Sequence, residues 1–383
     1  MESIGGFEIW LIFFTRFIPV WICLAIFYFC LFYWRKKLGL MGRLCDSPIG
    51  LIGLFIVLFW IFGAILADWV AIFDAYEQSG MYRRKPPGTI NEKVGLPYIF
   101  GTDTLGRDLF SRMIYGSQIV LLIAPAATIV AYVVGISLGL PAGYIGGRYD
   151  TVLSFLANLV LAFPVILLFY LLVAPGVRET ILPNIMAGIF FIFPIIFALM
   201  VIYSSFSERQ NVLILSTFFI LVIGAWLYSG LVFNADPLGI VAIDPNELNI
   251  FAAVVFTTSP GVFRIVRGLT MDIKTRDYVA AAVTRGEGPF FVMIWEILPN
   301  ARGPLIVDSC LRIGYVTILL GTLGFFGLGM EPESPDWGSM INQTRSYIRL
   351  VPTIVLPATL ALASFVLGLN LLADGLREQS LKD

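Results

Sequence analysis

The sequence predicts an all-α protein that crosses a membrane several times. Of its 383 residues, 58% are hydrophobic and only 13% are charged, and the mean hydropathy is +0.88. Soluble domains average about 45–50% apolar and about 25% charged residues. In addition, nine long stretches contain no charged residue. A helix needs about 20 apolar residues to cross a bilayer, and only helices and closed barrels satisfy every backbone polar group in lipid.

The nine charge-free runs are the predicted spans: 17–34, 47–67, 113–147, 151–177, 180–207, 210–235, 248–263, 313–330 and 350–373. The third run is longer than one span, and its end, Leu140–Gly147, has the composition of a turn. The seventh and eighth runs are short. Their helices are therefore expected to extend past Arg264 and Arg267 in one case, and to include Asp308 and Arg312 in the other.

Basic residues near the spans predict the orientation. They place the loop 35–46 and the loop 268–302 in the cytoplasm, and both assignments agree if nine spans alternate. The N-terminus is then external and the C-terminus cytoplasmic. The basic residues 83–85 are then external, although Lys and Arg are usually enriched in cytoplasmic loops. They lie in a long segment, where this enrichment is weaker.

The composition argues against catalysis in this chain. There is no histidine, which removes the commonest general base and metal ligand, and the four cysteines form no CxxC pair. No lysine follows a glycine, so the Walker A phosphate loop is absent and ATP would bind to another chain. We predict no catalytic site, no metal site and no cofactor in this chain. The net charge of −1 gives no reason to expect nucleic acid.

The loop 268–302 is the segment with the clearest functional pattern. Residues 277–286 have the composition of a short helix that ends at a glycine. Residues 289–298 form a second apolar and aromatic stretch, which Pro299-Asn300 is expected to break. Two short helices outside the bilayer with exposed apolar surface suit either docking into a partner's groove or lying on lipid.

This loop resembles the coupling loop of binding-protein-dependent ABC permeases, whose pattern is E-A-A-x-x-x-G followed by an I-x-L-P-like ending. Here the pattern stands as Ala280-Ala281-Ala282, Gly286 and Ile297-Leu298-Pro299-Asn300, with Ala280 in place of the glutamate. The resemblance implies that the loop seats in a cleft of an ATPase subunit. The predicted ATPase-coupling residues are Ala280, Ala281, Ala282, Arg285, Gly286, Glu287, Leu298, Pro299 and Asn300.

A second motif, from Phe100 to Arg112, resembles the F-G-T-D-x-x-G-R-D-x-x-S-R segment of the C-type subunit of dipeptide and oligopeptide permeases. The segments Ala142–Gly147, Ala162–Pro164, 325–329 and Pro335–Met340 also match that subfamily. The external motif residues are Gly101, Thr102, Asp103, Gly106, Arg107 and Asp108. Their charged side chains could form ion pairs and caps that order an external lid, or could contact the substrate directly.

The resemblance covers residues 47–173 and 249–383, and the family core that it implies has six spans. We therefore divide the chain into four parts. Residues 1–46 are an N-terminal accessory helix with a cytoplasmic linker, and 47–173 are the first part of the core, with an external segment at 71–112. Residues 174–248 are an insertion with about two extra spans. Residues 249–383 are the second part of the core.

The resemblance also implies a function. The chain is expected to be the permease subunit of an ATP-driven importer that moves peptides by alternating access. Expected partners are a second permease subunit, two ATPase subunits that bind ATP and magnesium, an extracytoplasmic solute-binding protein and membrane lipid. The alternatives are an importer of nickel, glutathione or oligosaccharide, and a non-transporting scaffold or sensor, for which Ala280 is the main argument. A membrane enzyme would need convergent titratable groups that the sequence lacks.

Asp308 and Arg312 are the candidate residues of the translocation path. They lie one helical turn apart in the favoured order, acidic residue first. Charges at span depth are costly, so the two side chains are expected to pair and to face protein or water. They would either lock this span to a neighbour or meet the charged ends of a peptide.

Overall fold

The computed structural model describes residues 3–233, 235, 245–328, 333–349 and 351–380, and most of them are helical. The first nine helices are α1 (Gly6–Arg16), α2 (Ile18–Tyr33), α3 (Gly39–Arg43), α4 (Pro48–Ile65), α5 (Ala67–Val70), α6 (Leu109–Ile145), α7 (Gly147–Leu161), α8 (Val165–Val173) and α9 (Pro175–Arg178). The others are α10 (Leu182–Phe206), α11 (Gln210–Phe233), α12 (Pro245–Ile273), α13 (Asp277–Thr284), α14 (Pro289–Phe291), α15 (Leu298–Phe325), α16 (Trp337–Thr344) and α17 (Leu356–Ser380). Strand β1 (Ile90–Asn91) pairs antiparallel with β2 (Leu96–Pro97). The predicted all-α class is confirmed. The predicted runs and parts of the chain also include positions outside the described residues, namely 1–2, 234, 236–244, 329–332, 350 and 381–383.

The candidate membrane spans match the charge-free runs of the sequence. In the described part of the chain, seven helices are long and apolar enough to cross a bilayer: α4, α6, α10, α11, α12, α15 together with the helical residues before it, and α17. The pairs α1–α2 and α7–α8 pass the same test but are bent by 52° and 82°. If each bent pair is one span, the nine predicted runs fall one by one on these elements. As predicted, α12 and α15 extend past the charges that flank their runs.

Two predicted breaks at prolines are wrong. Helix α6 continues through Pro141 as far as Ile145, so the turn falls only at Gly146. The chain also stays helical across Pro299, because a π-helical turn at Val292–Ile297 leads directly into α15. A proline clashes with the carbonyl four residues before it in an α-helix, and the wider π-turn relieves that clash. Asn300 Nδ2 also donates a hydrogen bond of 2.6 Å to the Glu296 carbonyl.

The chain forms two compact units. The first comprises Met1–Pro125 and Val307–Asp383, and the second comprises Ala126–Ile306. In the first unit α4 packs along α17, and Trp60 Nε1 on α4 donates a hydrogen bond of 3.0 Å to Ser364 Oγ on α17.

The N-terminal helices are part of the core of the first unit. Phe17 is fully buried, and its ring stacks on that of Phe59 at 4.9 Å between centroids. Farther along α2, the Tyr28 hydroxyl donates a hydrogen bond of 2.7 Å to the Leu51 carbonyl. Because the accessory helix buries side chains against α4, it belongs to the fold of this unit.

Helix α12 is the centre of the second unit. It contacts α7, α8 and α10, and 67% of its most apolar 18-residue window is buried. Helices α10 and α11 form a hairpin whose corresponding windows are only 17% and 6% buried. In a bilayer such apolar surface faces lipid or another membrane helix.

Candidate functional site

Helix α13, at the start of the predicted coupling loop, ends in a fixed cap. The Gly286 N–H donates to the Val283 carbonyl at 3.0 Å, and the Glu287 N–H donates to the Ala282 carbonyl at 3.3 Å. These two bonds define a Schellman motif, which needs a left-handed residue one position beyond the C-cap. Gly286 occupies that position with φ +87°. The predicted glycine-ended helix is therefore present.

The predicted coupling residues divide into a buried and an exposed set. Ala282 is fully buried, Glu287 and Leu298 are partly buried, and the remaining residues are exposed: Ala280, Ala281, Arg285, Gly286, Pro299 and Asn300. Ala280 and Ala281 are small and exposed on α13, between the exposed side chains of Asp277 and Thr284, so another surface can approach the backbone there.

The second half of this loop is anchored from inside. Val292, Met293, Ile294 and Ile297 in the π-helical turn are buried. Outside, Arg285 Nη2 lies 3.2 Å from Glu296 Oε1 and links the end of α13 to the π-helical turn. We call residues 277–300, from α13 through the π-helical turn to Asn300, the coupling segment.

The coupling segment also contacts the end of α10. The rings of Tyr203 and Phe290 meet edge to face with their centroids 5.7 Å apart. Trp295 Nε1 donates a hydrogen bond of 3.2 Å to Ser204 Oγ. No local pattern in the sequence predicts this contact, although the predicted topology puts the end of α10 and the coupling segment on the same side of the membrane.

The motif that ends at Arg112 forms a buried polar cluster in the first unit, made of the side chains of Asp103, Arg107, Asp108, Ser111 and Arg112. Asp103 is its centre. Oδ1 accepts hydrogen bonds from the N–H groups of Leu105 and Arg107, and Oδ2 accepts one of 2.7 Å from Arg107 Nε. Both side chains of this pair are at most 2% exposed.

Arg112 and Arg107 join this cluster to residues on either side of the matched segment 335–340. Its guanidinium donates to the carbonyls of Ala75, Glu333 and Ser334 at 3.0–3.2 Å, and its Nε lies 4.0 Å from Asp103 Oδ2. Arg107 Nη2 likewise reaches Gln343 Oε1 at 2.7 Å. Trp337, inside that segment, donates a hydrogen bond of 2.9 Å to the carbonyl of Met113, which directly follows the motif that ends at Arg112. The two motifs therefore lie side by side, although they are far apart in the sequence.

Asp108 caps the start of α6, because its Oδ2 accepts bonds from both the N–H and the hydroxyl of Ser111. Its Oδ1 has no partner in the described part of the chain, and neither does Asp336 Oδ2. Burial raises the pKa of the Asp108 carboxyl to about 6, although the bonds from Ser111 act in the opposite direction. Burial also raises the pKa of the Asp336 carboxyl.

Glycine is required at position 106 of the motif. Gly106 has φ +82°, and a Cβ atom there would lie 1.9 Å from the Ser79 carbonyl oxygen. Nearby, Thr102 is fully buried, and its hydroxyl accepts from the Lys85 N–H at 2.8 Å. The motif is therefore enclosed by the loop before it. This geometry favours the ordering role that the sequence left open, because buried side chains cannot meet a substrate.

Asp308 and Arg312 are paired, with Arg312 Nε 2.6 Å from Asp308 Oδ2. Both side chains are partly exposed, at 22% and 15%. They lie on α15 in the first unit.

Comparisons with known proteins agree with the motifs. Residues 210–380 match the family described as binding-protein-dependent transport system inner membrane component. Residues 38–87 match the N-terminal TM domain of oligopeptide transport permease C. Both matches are to membrane components of binding-protein-dependent transport, and the longer one covers 171 of the 383 residues of this chain.

Full-length relatives extend the likeness over most of the permease. This chain is 29% identical to the dipeptide transport system permease protein DppC of Haemophilus influenzae over 328 residues, which are 86% of this chain and 88% of the relative. It is 29% identical to the di/tripeptide transport system permease protein DppC of Pseudomonas aeruginosa, over 85% of each chain. It is 28% identical to the glutathione transport system permease protein GsiD of Pectobacterium atrosepticum, over 85% of this chain and 84% of the relative.

The permease is thus a multi-pass inner-membrane subunit of an ABC importer. An importer of this family works with ATPase subunits and a solute-binding protein.

Proposed function

We propose that this permease moves di- or oligopeptides across the inner membrane by alternating access, driven by ATPase subunits that dock on the coupling segment. ATP and magnesium would bind to those subunits, and the permease itself would contribute no catalytic group and no cofactor. The closing of the ATPases would shift the coupling segment and, through α15, the spans.

One observation carries the docking role, namely the rigid structure of the coupling segment. Helix α13 is fixed by the Schellman motif, the π-helical turn is anchored by buried side chains, and the helical path continues into α15. The Arg285–Glu296 ion pair also links the end of α13 to the π-helical turn, so force applied at α13 can reach a membrane span. The exposed charge of Asp277 beside the small residues Ala280 and Ala281 suits close contact with a protein surface better than insertion into lipid.

The docking role also sets the proposed orientation. The coupling segment must lie in the cytoplasm, so with alternating spans the C-terminus is cytoplasmic and the N-terminus external. A second permease subunit, either a different chain or a second copy, would complete the pathway, with one ATPase on each permease.

The peptide substrate is supported by the names of the relatives, which include dipeptide, di/tripeptide and glutathione permeases. Glutathione is itself a tripeptide, so these names share one chemistry. In such importers the solute-binding protein would select the substrate before the permease meets it.

Reconstitution of the complete importer tests this function. We expect the permease to co-purify with its ATPase subunits, and ATP hydrolysis in nanodiscs to increase when binding protein loaded with a peptide is added. Dialanine, a tripeptide mixture and glutathione are the probes, and unloaded binding protein is the control. A complex that assembles but shows no stimulation with any loaded binding protein would instead support the scaffold alternative, in which the absent glutamate at Ala280 has ended coupling.

The pair on α15 gives a second test. We expect the exchange variant, Asp308→Arg with Arg312→Asp, to recover most of the transport that each single variant loses. Either single change leaves two like charges one turn apart in a span, where each charge costs about 2.5–3.5 kcal/mol. The exchange restores an ion pair, but the basic residue now precedes the acidic one. This less favoured order costs at most about 0.2–0.5 kcal/mol, the stabilisation of such a pair on a helix.

Assembly and peptide uptake are measured separately for this test. An exchange variant that assembles normally but transports poorly would contradict a purely structural pair. It would show that the charges meet the substrate in the path.

A further inference from the structure

The hairpin α10–α11 lies in the predicted insertion, although the family match begins at Gln210, the first residue of α11. Helix α10 lies outside that match and carries none of the family motifs. The hairpin's one polar contact with the coupling segment is made by the last turn of α10, among the residues that the structure describes. There Tyr203 packs against Phe290, and Ser204 accepts the hydrogen bond from Trp295. The two contacts lie on either side of the start of the π-helical turn.

The chemistry of the hydrogen bond fixes its direction. An indole N–H can only donate, so Ser204 Oγ must accept. The same hydroxyl donates its own hydrogen to the Val201 carbonyl at 2.8 Å. Ser204 is 7% exposed, so water competes little for the bond. The hydroxyl is thus held by its own helix in the orientation that receives Trp295.

The outer side of the coupling segment has little other support. Phe290 is 40% exposed and Trp295 is 47% exposed, whereas the neighbours Val292 and Met293 are buried. The inner residues fix the depth of the segment, and the contacts with α10 fix its lateral position. π-helical turns are often found at functional sites, where they change the direction of side chains.

We propose that Tyr203 and Ser204 are positioning residues, which hold the coupling segment in the conformation that the ATPase subunit binds. The inference rests on the proposed docking function and gives the insertion a role in it. The partner is the ATPase subunit, and α10 acts on it through Phe290 and Trp295. Loss of the support would leave the permease folded but would lower its affinity for the ATPase, because the segment would have to be ordered on binding.

The test measures the Kd of the labelled ATPase subunit for the permease, assembled with its partner permease in nanodiscs. This measurement needs no knowledge of the substrate. We expect Ser204→Ala to raise the Kd about three- to tenfold, which is the effect of one hydrogen bond. Ser204→Thr, which keeps the hydroxyl, should restore the wild-type Kd. Trp295→Phe combined with Ser204→Ala should be no worse than either single change, because both remove the same bond.

Ser205→Ala is the matched control. Ser205 also donates to the Val201 carbonyl at 2.8 Å, but it is exposed and bonded to no residue of the coupling segment in the described structure. Equal Kd values for Ser204→Ala and Ser205→Ala would overturn the inference, as would additive effects in the double variant. Failure of the docking function itself is recognised separately, since in that case Gly286→Trp would also leave the Kd unchanged.

Discussion

Gly286→Trp should abolish ATP-driven transport and leave membrane insertion and folding intact. Gly286 has φ +87°, and a non-glycine residue in the left-handed region costs about 1–2 kcal/mol. No atom lies within 4 Å of an added Cβ, so the fold can accept a side chain there. The indole would instead project from the proposed docking face and keep the ATPase away.

Two other substitutions at the same position separate backbone strain from bulk. Asparagine tolerates the left-handed region, so Gly286→Asn should keep most of the activity, and Gly286→Ala should fall between asparagine and tryptophan. The measurement is ATP hydrolysis stimulated by loaded binding protein, alongside the amount of permease in the membrane. Unchanged stimulation in Gly286→Trp would mean that the segment does not dock on the ATPase.

Arg112→Met should destabilise the first unit by about 3–5 kcal/mol, which is the usual cost of removing one partner from a buried charged network. The guanidinium is 1% exposed and supplies hydrogen bonds to three backbone carbonyls. Methionine fills much of the same volume but donates no hydrogen bond. The three carbonyls would be left unsatisfied, and Asp103 would keep only Arg107 as a cationic neighbour.

Arg84→Met is the matched control for this substitution. Arg84 is exposed, donates to the Tyr347 hydroxyl at 2.9 Å and lies over the same ring at 4.2 Å. An exposed contact of this kind contributes about 0.5–1 kcal/mol. Thermal unfolding of the purified permease and its yield in the membrane compare the two variants. Similar melting temperatures would show that the polar cluster does not stabilise the unit.

Much of the fold could be predicted from the sequence, because charge cannot enter a bilayer cheaply. For that reason the nine charge-free runs fall on the seven candidate helices and the two bent helix pairs of the described residues. Proline was a poor guide to helix ends, whereas Gly146 and Gly286 do mark the ends of α6 and α13. Helix α6 continues through Pro141 inside a span, where no water competes for its carbonyls. At the coupling segment, the π-helical turn before Pro299 accommodates the proline.

The sites were predictable only where a contiguous motif carried them. The cap at Gly286 follows from local sequence, since it depends on residues within one turn. The partners of the polar cluster do not, because Gln343 lies 236 positions from Arg107. The predicted topology places Arg107 and Gln343 on the same side of the membrane, and this is the feature of the sequence that allows them to meet. The contact between Trp295 and Ser204 is likewise a tertiary feature that no local pattern encodes.

The connectivity of the polar cluster also constrains how the chain is made. Arg112 bonds to the carbonyl of Ser334, which is 222 positions later in the chain. At about 5–20 residues per second, the ribosome needs about 10–45 s to supply that partner. The second unit, Ala126–Ile306, is one continuous segment and can fold during this interval. Meanwhile the charges of Asp103, Arg107 and Arg112 remain hydrated at the membrane surface, and the first unit closes only when the last part of the chain has been inserted.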